Sequence, residues 1–135
     1  MTVKTETNFW KTLKKYLDSG NYISSRLESY VTPGFPDCLV YHNKTGFFTL
    51  ELKVVNSSTK VVLSPFQIAW NSRHGIAGAQ SYILVTLPDR GEVKMFHGCK
   101  SVELGQKTVD QVPGLYEGRL MDLDFCQVIS NSQTP

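Results

Sequence analysis

Between Thr5 and Gly20 the apolar residues return every three to four positions: Phe9, Trp10, Leu13 and Leu17, with Tyr16 at the edge of the stripe. That period predicts an amphipathic helix over residues 6–18, capped by Thr5 and closed at Gly20. From Tyr22 to Val31 the period shortens to two. Tyr22, Ser24, Arg26, Glu28 and Tyr30 take one side and Ile23, Ser25, Leu27, Ser29 and Val31 the other, which predicts a strand. Thr32-Pro33-Gly34-Phe35-Pro36 is a turn that aims Asp37. Residues 37–42 then form a second strand, and Asn43 to Gly46 turns the chain into a third over residues 47–55. Ser64-Pro65 opens a helix that runs to about His74 and stops at Gly75. The apolar run 81–87 is a central strand, parallel to its neighbour because a helical crossover precedes it. After the turn Pro88-Asp89-Arg90-Gly91, residues 92–97 close the pattern. The order is α-β-β-β-α-β-β, an α/β chain with a mixed β-sheet flanked by helices. Beyond Gly98 the pattern weakens to a short helix near 99–104, a loop at Val112-Pro113-Gly114, a helix or strand within 120–129 and a polar tail at 130–135. The expected organisation is one domain, with its core over residues 5–98 and a C-terminal extension over 99–135.

Polar positions that break this pattern carry the chemistry. In the third strand Phe48, Leu50, Leu52 and Val54 point to one face, and Glu51 and Lys53 stand side by side on the other. Charged groups on an apolar sheet need a partner or an ion. Asp37 and Glu51 offer hard oxygen donors suited to Mg²⁺, and Lys53 offers a cation beside it. Such a set suits phosphodiester hydrolysis, in which the metal polarises a phosphoryl oxygen and acidifies a bound water.

Pro36-Asp37 followed by Glu51-Leu52-Lys53 resembles the signature of the PD-(D/E)XK nuclease superfamily. With Leu63-Ser64-Pro65, Gln67 and Trp70 added, the chain looks like the VRR-NUC branch and small phage-type nucleases, and archaeal Holliday-junction resolvases show a similar order of elements. The likeness covers residues 6–87. It implies a restriction-endonuclease-like core and a metal-dependent DNA endonuclease, a PD-(D/E)XK-type phosphodiesterase selective for branched DNA such as Holliday junctions. It further implies Mg²⁺, with Mn²⁺ as substitute, and a metal shell of Asp37, Glu51 and the Leu52 carbonyl. Lys53 would sit against the attacking water and the scissile phosphate, with Gln67 orienting one of them. A third carboxylate on the first helix would be Glu6. Glu28, on the strand beside Asp37, is the rival, and a first-turn acid favoured by the helix dipole is the plainer reading of Glu6. Whether one metal or two act stays open. The competing class is a non-catalytic nucleic-acid-binding or structural module on the same fold.

Composition narrows the rest. The chain has 135 residues, 41% hydrophobic and 19% charged, the profile of an ordinary globular domain. A formal net charge of +2 does not by itself announce a nucleic-acid partner. Backbone contacts to DNA would come from Lys60 and Arg73 and from Lys11, Lys14 and Lys15 off the first helical stripe, with Lys60 equally at home in a solvated loop. Trp70 is expected in the core. Cys38, Cys99 and Cys126 form no zinc spacing and read as reduced thiols of a cytoplasmic protein. His42, His74 and His97 are scattered, and no Gly-rich phosphate loop or G-x-S-x-G elbow occurs. Neither a transmembrane run nor an organic cofactor is expected, and a homodimer with two sites on opposite arms of a junction is the expected assembly.

Overall fold

The computed structural model describes residues 5–27 and 32–132. Helix α1 (Glu6–Ser19) begins where the Thr5 hydroxyl accepts the Asn8 N–H at 3.1 Å. Its stripe of Phe9, Leu13 and Leu17 is buried, and Trp10 and Tyr16 flank it. Strands β1 (Ile23–Arg26), β2 (Cys38–His42) and β3 (Gly46–Val54) follow as an antiparallel meander. Helix α2 (Pro65–Ile76) is the crossover that lets β4 (Ser81–Leu87) run parallel to β3. Strand β5 (Glu92–His97) returns antiparallel. The expected order of elements over residues 6–97 is the observed one.

The strand expected over 22–31 is seen only as β1, since residues 28–31 lie outside the described part of the chain. Leu27 extends the pairing by donating its N–H to the Asp37 carbonyl at 2.7 Å. After β5 come a 3₁₀ turn (Gly98–Lys100), helix α3 (Ser101–Gln106), a sixth strand β6 (Tyr116–Gly118) and helix α4 (Phe125–Ser132). The sheet order is β1-β2-β3-β4-β5-β6, with β6 on the edge beside β5. Residues 130–132, expected as tail, form the last turn of α4, where the Ser132 and Tyr82 hydroxyls bond at 3.0 Å.

The sheet is covered on both faces. On one, α1 and α4 pack Phe9, Leu13, Leu17, Phe125 and Ile129 against Val40, Phe48, Leu50, Leu52 and Leu84. On the other, Val61, Leu104, Val109 and Val112 pack against Ile83, Val85, Leu87 and Phe96. Residues beyond 98 therefore supply part of both cores. Trp70 belongs to neither, contrary to expectation. It is half-buried on α2, with its ring 3.8 Å from that of His74 and 5.6 Å from that of Phe35. The reason is the helix phase: Asn71 and Gly75 face inward, which turns Trp70 toward the rim.

The turn ahead of β2 is clamped onto the start of α2. Gly34 has φ +83°, and a methyl there would come within 2.2 Å of the Phe66 carbonyl oxygen. Substituting Gly34→Ala is expected to cost about 1–3 kcal/mol through strain and displaced backbone. Chemical denaturation of the variant checks this, with a lowered midpoint as the expected result.

Candidate active site

Register alone brings the two acids together. Cys38 lies opposite Leu50 in the last rung of the β2–β3 ladder, Asp37 and Glu51 are the next residues on the two chains, and the Asp37 carboxyl reaches the Leu52 N–H. Lys53, two residues past Glu51, shares its face of the sheet. Like charges brought together repel, so the pair destabilises the sheet unless something positive stands between them.

The proline has a second consequence. The Asp37 carbonyl faces β1, where it accepts the Leu27 N–H, so the backbone of its neighbours faces β3. Pro36, just ahead of the end of that ladder, has no N–H to give to a neighbouring strand. The Leu52 N–H turns instead to the Asp37 side chain, donating to Oδ2 at 2.7 Å.

Glu51 is 1% exposed. Its Oε2 accepts from Gln67 Nε2 at 3.2 Å, and its Oε1 has no hydrogen-bond partner. Burial, and after it the adjoining Asp37 carboxyl, push the Glu51 pKa up to about 9; Lys53 pulls the other way and Glu6 adds to the rise. Gln67 is the pivot of the site. Its Oε1 accepts from Lys53 Nζ at 3.2 Å and from the Ser64 N–H at 2.9 Å, while its own N–H caps onto Ser64 Oγ at 3.1 Å. The capping box that starts α2 is thus also what holds Gln67 over the carboxylates. Lys53 is 13% exposed and stands 3.9 Å from Glu6 Oε1, which arrives from the first turn of α1.

Of the residues expected here, Asp37, Glu51, Lys53 and Gln67 come together, and Glu6 meets them on the Lys53 side. Glu28 lies outside the described residues. Among the described residues no group of three or more His, Cys, Asp or Glu lies close enough to hold a metal. The donor set is instead two opposed carboxylates and the Leu52 carbonyl, all oxygen. That fits Mg²⁺ or Mn²⁺, because Mg²⁺ is commonly held by one or two carboxylates and keeps several waters. The unpartnered Glu51 Oε1 is the buried atom such an ion would satisfy.

The cations expected to touch DNA do not form one patch. Lys11, Lys14 and Lys15 are exposed on α1, with Lys14 bound to Asp18 at 3.3 Å. Lys60 and Arg73 are exposed on segments that cover the opposite face. Two features are not legible as elements of the pattern: the capping box that shares Gln67 with the site, and the bond from the Leu52 N–H to the Asp37 carboxyl. The Ser64-x-x-Gln67 spacing was a visible signal for the first, whereas the second needs the register. All three cysteines are free thiols, and among the described residues no helix is long and apolar enough to cross a membrane.

Fold and sheet order together define a restriction-endonuclease-like α/β domain. Among solved structures, the chain is similar to a Holliday junction resolvase from the archaeal hyperthermophile Archaeoglobus fulgidus. The two share 22% sequence identity with a TM-score of 0.54, over 68% of this chain and 76% of that one. This likeness establishes the fold. No family model matches the chain, and no curated protein does.

The raised Glu51 pKa sets a pH dependence. Folded Glu51 keeps its proton to about 9, whereas the unfolded group loses it near the ordinary glutamate value of 4.5. The folded state therefore binds more protons between these values, and its stability falls as pH rises through that window. In metal-free buffer the wild-type melting temperature should decline from pH 5 to 9, and Glu51→Gln should decline less. Melting curves across that range decide it, and equal slopes would refute the assignment.

Proposed function

We propose that this chain is a divalent-metal-dependent endonuclease acting on DNA, with Asp37, Glu51, Lys53 and Gln67 as its working residues. One observation carries the reading: two carboxylates opposed on neighbouring strands, one with a buried unpartnered oxygen, beside a mostly buried lysine on the same face. Asp37, Glu51 and the Leu52 carbonyl would hold Mg²⁺ or Mn²⁺. When bound, the ion supplies charge neutralisation at a phosphoryl oxygen and a more acidic water. Lys53, fixed by Gln67 and steadied by Glu6, presents its ammonium next to the carboxylates, where it offsets charge gathering on a scissile phosphate. Gln67 keeps Lys53 and Glu51 at a set separation, since its amide oxygen takes one and its amide nitrogen the other. Glu6, 3.9 Å from Lys53, would complete the shell through water.

Branched DNA is the substrate class we favour, held chiefly through its phosphates. Support comes from the solved neighbour, which is a Holliday junction resolvase. Junction cleavage calls for paired sites related by a two-fold axis, so a homodimer belongs to this reading. Binding through phosphates weakens as salt rises, whatever the sequence.

The test is a cleavage panel of junction, flap, single-stranded and duplex DNA with Mg²⁺ or Mn²⁺. Lys53→Ala and Asp37→Asn should each lower the rate by about 10²–10³-fold while the circular dichroism spectrum is retained. Full cleavage by either variant would reject the site. A binding module on the same fold would bind DNA and cleave none of it. Calorimetric titration with Mn²⁺ should give heat with the wild type and little with Glu51→Gln.

A further inference from the structure

We infer that Cys126 is a modification site: its thiol, paired with His42 and Tyr22, exchanges with small zwitterionic disulfides of the glutathione or cystine kind. The inference stands apart from the nuclease reading and uses none of its residues. Three groups from distant parts of the chain meet here. Cys126 lies in the first turn of α4, His42 ends β2, and Tyr22 immediately precedes β1. The Cys126 Sγ is 3.0 Å from the Tyr22 hydroxyl and 3.6 Å from His42 Nδ1. The Tyr22 and His42 rings pack with their centroids 4.6 Å apart, so the sulfur rests against a fixed pair.

Backbone donors set the direction of each hydrogen bond. The Tyr22 hydroxyl oxygen accepts the Cys126 N–H at 3.1 Å, which leaves its own proton to point at Sγ. His42 Nδ1 accepts the Lys44 N–H at 3.1 Å, so that nitrogen carries a lone pair and no proton. It is the base that faces the S–H. Burial first, and the Cys126 side chain after it, raise the Tyr22 pKa and keep the phenol protonated as a donor. A thiolate formed here gains the Tyr22 O–H, and its place in the first turn of α4 adds the positive end of the helix.

The cleft beside the thiol identifies the ligand class. It has a volume of about 480 Å³, room for a molecule the size of a tripeptide. Lys44 lines it from the turn between β2 and β3, and Asp122 and Asp124 line it from the segment ahead of α4. All three are exposed. Asp122 also pairs with Arg119 at 3.0 Å, and one Asp124 oxygen accepts the Gln127 N–H at 3.2 Å. A molecule with separate ammonium and carboxylate ends meets both signs of charge in this cleft. In the exchange the Cys126 S–H proton passes to His42, and the thiolate attacks one sulfur of the disulfide. The old S–S bond breaks, and the leaving thiolate takes the proton back from His42. Cys126 ends in a mixed disulfide and one small thiol is released.

The experiment incubates the full chain with oxidised glutathione, cystine or the neutral hydroxyethyl disulfide and maps the adducts by mass spectrometry of its peptides. The wild type carries its own control, because Cys99 is exposed, Cys126 only partly exposed and Cys38 buried. Cys126 should form the mixed disulfide about tenfold faster than Cys99, against the order of exposure. His42→Ala should slow Cys126 roughly tenfold and leave Cys99 unchanged, with circular dichroism checking the fold. Both charged disulfides should outpace the neutral one at Cys126 and not at Cys99. The faster of the two charged probes assigns the tripeptide or the amino acid as the ligand. Modification of Cys99 first, or of Cys126 only in denaturant, overturns the site. An unchanged Cys126 rate in His42→Ala overturns the pairing with His42, and equal rates with the neutral disulfide overturn the zwitterionic ligand.

Discussion

Two acids brought together just past the last rung of the β2–β3 ladder are the constraint around which this fold is arranged. Asp37 and Glu51 sit where an apolar pair would strengthen the sheet, and Glu51 is almost wholly out of water. An ionised carboxylate in that place costs several kcal/mol unless it is paired or takes up a proton. The protein answers only in part. Gln67 satisfies one Glu51 oxygen, the Leu52 N–H satisfies one Asp37 oxygen, and Lys53 lends a charge from the same face. What stays unanswered is Glu51 Oε1, while burial first and the neighbouring Asp37 carboxyl after it raise the Glu51 pKa to about 9. A buried, incompletely satisfied carboxylate inside an otherwise apolar sheet is what the proposed metal site would use.

The elements that frame this deficit are coupled to one another. Ser64 and Gln67 start α2 by capping it, and the same Gln67 side chain spans Glu51 and Lys53. The turn that aims Asp37 is pinned to α2 by the absence of a side chain at Gly34. Helix start, turn and strand rung therefore cannot move independently, and positions in the site are fixed by backbone packing more than by long side chains. Glu6 is the exception: it stands 47% exposed and reaches Lys53 at 3.9 Å from another element.

Legibility in the sequence followed the range of the interactions. Helix α1 was readable because its period of three to four is unbroken from Phe9 to Leu17, and α2 because Ser64-Pro65 is a local start signal. The alternation from Phe48 to Val54 placed Glu51 and Lys53 together without any structure. Strand β6 was not readable: three residues ending in a glycine carry no period, and the strand exists only because β5 offers an edge. For the same reason Val109, Val112 and Phe125 did not announce themselves as core, since their partners are distant in the chain. Trp70 was misplaced because an aromatic on a helix is usually buried, and only the helix phase set by Asn71 and Gly75 turns it to the rim. In the site, the bond from the Leu52 N–H to the Asp37 carboxyl follows from the pairing of β2 with β3, which no local pattern reveals.

How such a chain would choose a nucleic acid can be argued from what it lacks. With a net charge of +2 the long-range attraction to a polyanion is weak. Among the described residues, Lys11, Lys14 and Lys15 stand exposed on α1, while Lys60 and Arg73 stand exposed on segments elsewhere in the fold. Weak, divided electrostatics make a poor basis for affinity and a tolerable one for selectivity, because they do not hold ordinary duplex against the site. Discrimination on the proposed reading then falls to short-range contacts that one kind of DNA can make and another cannot.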